Sequence, residues 1–396
     1  MKSLLLAALL LLLPAQAQAQ SWSRSWSAVP HRIMPLAPDK TLPEFRDSTV
    51  RQVVRLSNGG DQLRIRLSNE LSESPIRIGA VHVALMGTDG RLQPGTDQIV
   101  TFGRRPAFHL PGQAPLLSDP VKLPVKPLSH VAVSIYLPDG AAGAVLHWDA
   151  FATAWAAPGN QTGAPMLERA RRFERRIILS AVEVENRQPN RTIVTLGDSI
   201  TDGALTSIDA NKRWPDILAE RLQPAMKGKA GVANAGISGN RVLRNGSGPN
   251  VLARFDRDVL SVPGVSHVIM LEGVNDVGAA WRAKDPMPPS AEDLIAGYRQ
   301  IIARAHEHGV KVILGTILPF KGAVYWSDYG ENVRTAVNAW IRDNKEADGH
   351  VDFDKALADP ADRARLAPRF NSGDSLHPND AGHFAMAHAV NLELLR

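Results

Sequence analysis

The hydrophobic period of this chain changes once along its length, and the change divides it. From Trp22 to about Ala157 apolar and polar residues alternate. "QLRIRLSN" sets Leu63, Ile65 and Leu67 on one face and Arg64, Arg66 and Ser68 on the other, and "HVAVSIYL" repeats the pattern with Val131, Val133, Ile135 and Leu137. Successive strand residues point to opposite faces, so this period, punctuated by Gly, Pro and Asn, predicts an antiparallel β-sandwich, jelly-roll-like, over residues 20–157. Between "RQVVRLS" and "QLRIRLS", the sequence Asn58-Gly59-Gly60-Asp61 reads as a hairpin turn.

From about Arg191 the apolar runs become short and nearly continuous: "RTIVTLG", "GVANAG", "HVIMLEG", "KVILGTILP" and "HVDFD". Such runs suit strands buried on both faces. Helical stretches separate them. In "SAEDLIAGYRQIIARAHEHG", Leu294, Ile295, Tyr298, Ile301, Ile302 and Ala305 recur at helical spacing, after a Ser290 N-cap and before Gly309. Strands alternating with helices predict a flavodoxin-like doubly wound parallel sheet over 191–396, an α/β fold. The segment 158–190 is expected to join the halves, with the basic run "ERARRFERR" as a solvated helix and "RIILSAVEVEN" as a connecting strand.

Composition narrows the class. At 396 residues, 44% hydrophobic and 21% charged, the chain can bury the cores of two domains. It begins with Lys2, an apolar run from Leu4 to Leu13 and Ala-Gln repeats, the pattern of a secretory signal peptide over residues 1–19, cut after Ala17 or Ala19. That run is too short to span a bilayer, which needs about 20 apolar residues, and no later segment is apolar enough. The chain contains no cysteine, which excludes disulfides, thiolate metal sites and a cysteine nucleophile. A bacterial periplasmic or secreted enzyme is expected. The net charge of +5 comes without any basic run interleaved with aromatics, so nucleic acid is not an expected partner.

Gly-Asp-Ser occurs twice, at 197–199 and at 373–375. In a parallel α/β sheet, reactive groups gather at the carboxyl ends of strands. The first copy directly follows "TIVTL", which puts Ser199 on a strand-to-helix turn. The second follows "LAPRFNS", which has no apolar run, so Ser375 is a poor nucleophile. What the second copy offers is Asp374, three positions before His377 on a tight loop ahead of Pro378. A carboxylate so placed can hold the imidazole Nδ1 and leave Nε2 free to take a proton from Ser199. Donors for a developing oxyanion are expected after the next two strands: the Gly239 N–H in "NAGISGNR" and the Asn275 amide in "LEGVNDVG", together with the N–H of Ser199 itself.

The order GDS at Ser199, N-x-G-x-x-G ending at Gly239, G-x-N-D at Asn275 and D-x-x-H-P at Asp374–His377 resembles the SGNH (GDSL) hydrolase superfamily over roughly Arg191 to Arg396. The resemblance implies Ser199 as nucleophile, Ser199, Gly239 and Asn275 as the oxyanion hole, His377 as base and Asp374 as its orienter. The wider text "GDSITDG…RWPDILAERL…GVNDVG…LHPNDAG", behind a β-rich N-terminal half, is similar to the xylan esterase-like branch of carbohydrate acetylesterases. It implies an ester substrate on a polysaccharide or oligosaccharide. The charged "MLERARRFERR" departs from the simple strand expected before such a domain.

Each residue also has a purely structural role open to it. Ser199 could cap a helix, His377 shape a turn, Gly239 permit one, and Asn275 close an Asx-turn. Asp198 is expected to order its turn by hydrogen bonding, and Trp214 to pack in the core. Asn240 and Arg241 are candidates for the pocket mouth. His306 and His308, at a helix end, and His383, on the last helix, are assigned to helix termini or the surface. Without H-E-x-x-H or comparable spacing, no metal is expected, and without a Walker or dinucleotide glycine pattern, no cofactor. The reading is a serine esterase, with a broad-range lipase, arylesterase or thioesterase as the alternative. A non-catalytic carbohydrate-binding protein is the reading from another class. Only 6% of residues are aromatic and no apolar lid is evident, which disfavours a lipase.

Overall fold

The protein is described from a computed structural model covering residues 21–31, 45–141, 146–186, 190–282 and 284–396. The expected signal peptide lies outside the described residues. No described helix is long and apolar enough to cross a membrane.

The N-terminal half is an antiparallel sandwich. One sheet has six strands in the order Arg171–Phe173, Ala154–Pro158, Arg46–Arg55, His130–Asp139, Ala80–Leu85 and Gln98–Ile99. The other has four, in the order Ser21–Ser27, Leu179–Asn186, Gln62–Ser68 and Pro115–Leu117. The alternating residues face one another between them: Leu63, Ile65 and Leu67 pack with Val131, Val133 and Ile135 in one buried cluster. Each such side chain, fully buried, contributes about 1.5–3 kcal/mol.

Two local expectations are corrected. The Asn58–Asp61 turn is not a hairpin, because Arg46–Arg55 and Gln62–Ser68 lie in different sheets. Its glycines serve close approach. A Cβ on Gly59 would stand 2.5 Å from the Val125 carbonyl oxygen, and one on Gly60 2.7 Å from that of Glu185. The basic run at 168–176 is not a solvated helix either. Arg171–Phe173 pairs with Ala154–Ala156, and Phe173 packs on Phe45 at 5.5 Å between ring centroids. Arg176 is buried, donating to the Val53 carbonyl at 2.9 Å. Its period of two is masked by its arginines, of which Arg171 and Arg172 are exposed, Arg175 lies over the Trp148 ring at 4.0 Å and Arg176 is buried. Leu179–Asn186 then runs between Ser21–Ser27 and Gln62–Ser68, so this stretch belongs to the sandwich itself.

The C-terminal half holds a five-stranded parallel sheet in the order Ala230–Gly236, Arg191–Gly197, Val265–Leu271, Lys311–Gly315 and Gly349–Val351. In chain order this is 2-1-3-4-5, the flavodoxin-like arrangement, whose switch point lies between the first and third strands. The helix Ala291–Glu307 starts at Ser290 with a reciprocal capping box to Asp293 and buries Leu294, Tyr298, Ile301, Ile302 and Ala305.

The halves meet along Ser21–Ser27. The Arg24 N–H donates to Thr192 Oγ1 at 3.0 Å, and Ser27 Oγ donates to the Asn234 carbonyl at 2.8 Å. From the loop after Arg46–Arg55, Ser57 Oγ accepts the Val232 N–H at 2.9 Å. Trp22 lies in this strand under the Arg64 guanidinium, 4.2 Å from its ring centroid. With the edge strand Ala230–Gly236 covered in this way, residues 188–396 expressed alone are expected to be poorly soluble, because that edge and the groups hydrogen-bonded across the seam become exposed and open to pairing with other chains. A monodisperse fragment hydrolysing small aryl esters at the full-length rate would contradict that bracing role.

Candidate active site

The sheet order sets the site. Arg191–Gly197 lies between Ala230–Gly236 and Val265–Leu271, so the loops after three neighbouring strands open side by side at the switch point. They carry Ser199, Gly239 and Asn275. Ser199 begins the short helix Ser199–Asp202, with Asp198 as N-cap accepting the Ile200 N–H at 2.9 Å. His377 and Asp374 come from the loop before the helix Asp380–Ala389. That loop folds back on itself through the bridge Asn371–Pro378.

Ser199 Oγ stands 2.8 Å from His377 Nε2, and His377 Nδ1 stands 2.5 Å from Asp374 Oδ2. The other carboxylate oxygen, Oδ1, accepts the N–H groups of Leu376 and His377, each at 2.9 Å. Partial burial works against the Asp374 charge, but the bonds from the His377 ring and backbone outweigh it and hold the carboxyl well below the usual range. An ionised Asp374 fixes the Nδ1–H tautomer and leaves Nε2 as the acceptor facing the serine hydroxyl. Ser375, between these two residues, has φ of 62° and its N–H on Asn371 Oδ1.

Asn275 sits in the first turn of Val274–Arg282. Its Oδ1 accepts from the Tyr325 hydroxyl at 3.2 Å, while its Nδ2 is buried without a partner among the described residues. A buried amide nitrogen left unpaired costs about 1–3 kcal/mol. Holding the oxygen side fixes which end of the amide faces the site. Gly239 adopts φ of 74°, a left-handed conformation that turns the loop, and carries no Cβ that would crowd Ser247 Oγ at 2.8 Å.

Beneath the site lies a buried polar layer that sequence reasoning missed. The Arg254 guanidinium, 1% exposed, donates to the carbonyls of Gly197 and Ala235, to Asn240 Oδ1 and to Asp258. It thereby ties two strand ends to the Gly239 loop. Asp276 Oδ2 and Oδ1 accept the N–H groups of Val242 and Leu243 from the far side of that loop. Burial raises the Asp276 pKa to about 6, and burial beside Asp198 raises that of Glu272 well above the carboxylate range. Burial likewise raises Asp198. Burial thus shifts each of these carboxyls toward its neutral form, Glu272 furthest.

Asn240 is corrected: it is fully buried, donating to the Pro249 carbonyl and accepting from Arg254, so it braces the loop rather than lining the mouth. Arg241 is half-buried, with its charge felt by Asp276. His383 is also corrected. It is fully buried, with Nδ1 accepting the Trp214 N–H at 3.3 Å, and burial lowers its pKa to about 3. Helical period alone could not place it inside, because the last helix is apolar around most of its girth. Trp214 is in the core, as expected. His306 pairs with Asp348 at 2.8 Å, and His308 Nδ1 meets the Arg304 carbonyl at 3.0 Å.

Comparison with known proteins gives a consistent result. Residues 195–385 match the model of the GDSL-like lipase/acylhydrolase family. No curated protein matches the chain. Similar solved structures include an alpha/beta hydrolase enzyme from the metagenome of Lake Arreo, at 21% identity over 52% of this chain and 94% of that one, with a TM-score of 0.40. An acetyl xylan esterase from Geobacillus stearothermophilus is 22% identical over 52% of this chain and 94% of that one, also with a TM-score of 0.40. A GDSL-like lipase from Bacteroides thetaiotaomicron is 21% identical over 52% and 88%, with a TM-score of 0.38.

Proposed function

The chain carries a GDSL-like lipase/acylhydrolase domain over residues 195–385 and is a serine ester hydrolase, and on that premise we propose that it is exported and removes acetyl groups from polysaccharide. The observation that carries the site assignment is the relay from Ser199 Oγ through His377 Nε2, at 2.8 Å, to Asp374. In this reading His377 takes the proton as Ser199 Oγ attacks the ester carbonyl. The tetrahedral oxyanion is met by the N–H groups of Ser199 and Gly239 and by Asn275 Nδ2. His377 then gives its proton to the departing alcohol, and water, activated by the same imidazole, releases the acid from the acyl-enzyme.

The low aromatic content of the chain, 6%, weighs against a site for a long aliphatic acyl group. Similarity of the catalytic-domain text to xylan esterase-like sequences points the same way, and the N-terminal signal pattern supports export. The test is a hydrolysis panel of acetyl to decanoyl aryl esters alongside acetylated xylan, pectin and xyloglucan. Activity that falls steeply beyond short acyl chains, and acetate release from at least one polymer, is expected. A maximum at octanoyl or decanoyl esters with no acetate from any polymer would instead make it a lipase.

A further inference from the structure

The helix bearing Ser199 is only four residues long, Ser199–Asp202, so one turn of backbone cannot hold the serine by itself. Its last residue, Asp202, is buried, and its carboxylate is met from the other domain. His147 Nε2 stands 2.7 Å from Asp202 Oδ1, and His147 Nδ1 stands 2.8 Å from the Val29 carbonyl oxygen. Both partners are acceptors. A neutral imidazole has a single N–H, so satisfying the carbonyl and the carboxylate together requires N–H groups on both ring nitrogens, which is the imidazolium.

From this geometry we infer that His147 of the sandwich is a positioning residue for the nucleophile, its imidazolium clamping Asp202 so that the sandwich sets the placement of Ser199. This rests on the reading of Ser199 as nucleophile. The clamp reaches further into the site. The Asp202 carbonyl accepts from Arg213 Nε at 2.7 Å, and Ser238, beside Gly239, has its hydroxyl 3.5 Å from Asp202 Oδ2. Asp202 thus belongs to the turn that carries the serine, while its carboxylate joins His147 to the loop that carries the oxyanion donor.

The charged groups around the ring are Asp202 and Asp149 on the acidic side and Arg213 on the basic side, with Arg176 lining the same interdomain cleft. The remaining neighbour is His31, whose ring packs edge-on at 5.0 Å. Its Nε2 accepts the Trp148 N–H at 2.6 Å, and burial followed by the nearby His147 charge lowers its pKa to about 3, so it is neutral. For His147 burial opposes the charge, but Asp202 and the two hydrogen bonds outweigh it and the pKa is raised. A histidine pKa raised by folding gives a tie that is fully present below pH ~6.5 and lost as pH rises through the folded value. The clamp therefore predicts an alkaline limb in turnover.

Wild type, His147→Gln and Asp202→Asn are titrated with a serine-directed phosphonate, and kcat per titrated site is measured against pH with an aryl acetate. His147→Gln is expected to lose on the order of 10–100-fold in kcat per site, as misplacement by about 1 Å does, with little change in KM. Asp202→Asn keeps the shape but removes the charge that holds the proton, so its alkaline limb moves to lower pH. A His147→Gln enzyme with wild-type kcat per titrated site overturns the inference, even if its melting temperature falls. If His147→Gln does not fold, Asp202→Asn decides, and an unmoved alkaline limb overturns it. Wild type that is labelled while the variants behave in these ways leaves the serine-hydrolase reading standing. Wild type that is not labelled at Ser199 overturns both.

Discussion

Ser199→Ala is expected to remove on the order of 10⁶ in turnover, as loss of a triad serine does, while the protein still folds. Among the described residues the hydroxyl makes one hydrogen bond, to His377 Nε2, and the helix it begins is capped by Asp198 and not by Ser199. Deleting Oγ therefore takes away the attacking atom and little else. The companion variant Ser375→Ala should retain most activity. Its backbone N–H, which alanine keeps, donates to Asn371 Oδ1, and among the described residues its Oγ accepts only a long bond from Asn371 Nδ2, at 3.5 Å. The two rates, measured with an aryl acetate on proteins of matched melting temperature, separate the two Gly-Asp-Ser copies. Full activity in Ser199→Ala, or loss only in Ser375→Ala, would reverse the assignment.

Asn275→Ala carries the second largest effect. Removing one oxyanion donor costs about 10²–10³ in kcat. The variant removes Nδ2, unpartnered among the described residues, but also the Oδ1 that accepts from the Tyr325 hydroxyl. Relief of one unpaired group and creation of another, each about 1–3 kcal/mol, offset, so the melting temperature should change little. Tyr325→Phe sharpens the test. It deletes one neutral hydrogen bond to Asn275 Oδ1, worth about 1 kcal/mol, so the amide is freed to rotate and kcat should drop roughly fivefold. If Asn275→Ala cost less than threefold while Tyr325→Phe cost more, the phenol and not the amide would be the donor.

What could be read from the sequence, and what could not, follows from range. Ser199, Gly239 and Asn275 each follow an apolar run within a few residues, so the strand that positions them is visible beside them. Asp374 and His377 are three apart, and their contact is local to one loop. The α/β order was legible for the same reason, since a doubly wound sheet is assembled from neighbouring units. Arg254 was not. Its partners lie at Gly197, Ala235, Asn240 and Asp258, and in its own segment it looks like any arginine on a helix face. Tyr325 comes from a loop without period, and His147 acts on a residue in the other half of the chain. Asn240 was misplaced because a polar residue beside an oxyanion glycine reads as exposed unless its buried guanidinium partner is known. The turn at Asn58 misled in a similar way: its glycines match a hairpin, but the choice of sheet is made by contacts with Val125 and Glu185.

The strand Ser21–Ser27 has one further consequence, for the order in which the chain can fold. It pairs with Leu179–Asn186, in the register Ser21 with Asn186 and Ser27 with Ala181, and its outer side meets Thr192 and Asn234. During synthesis it is made long before its partners, the separation between Arg24 and Glu183 being 159 residues. Contacts that distant must close a long loop before they return any stabilisation, which makes them slow to form. Until they form, the inner strand of the four-stranded sheet lacks its neighbour, and "SWSRSWS" is an uncovered, tryptophan-bearing strand open to pairing with other chains. Completion of the sandwich and docking of the catalytic half are thus late and nearly simultaneous steps, and a growing chain depends on protection of this strand until both arrive.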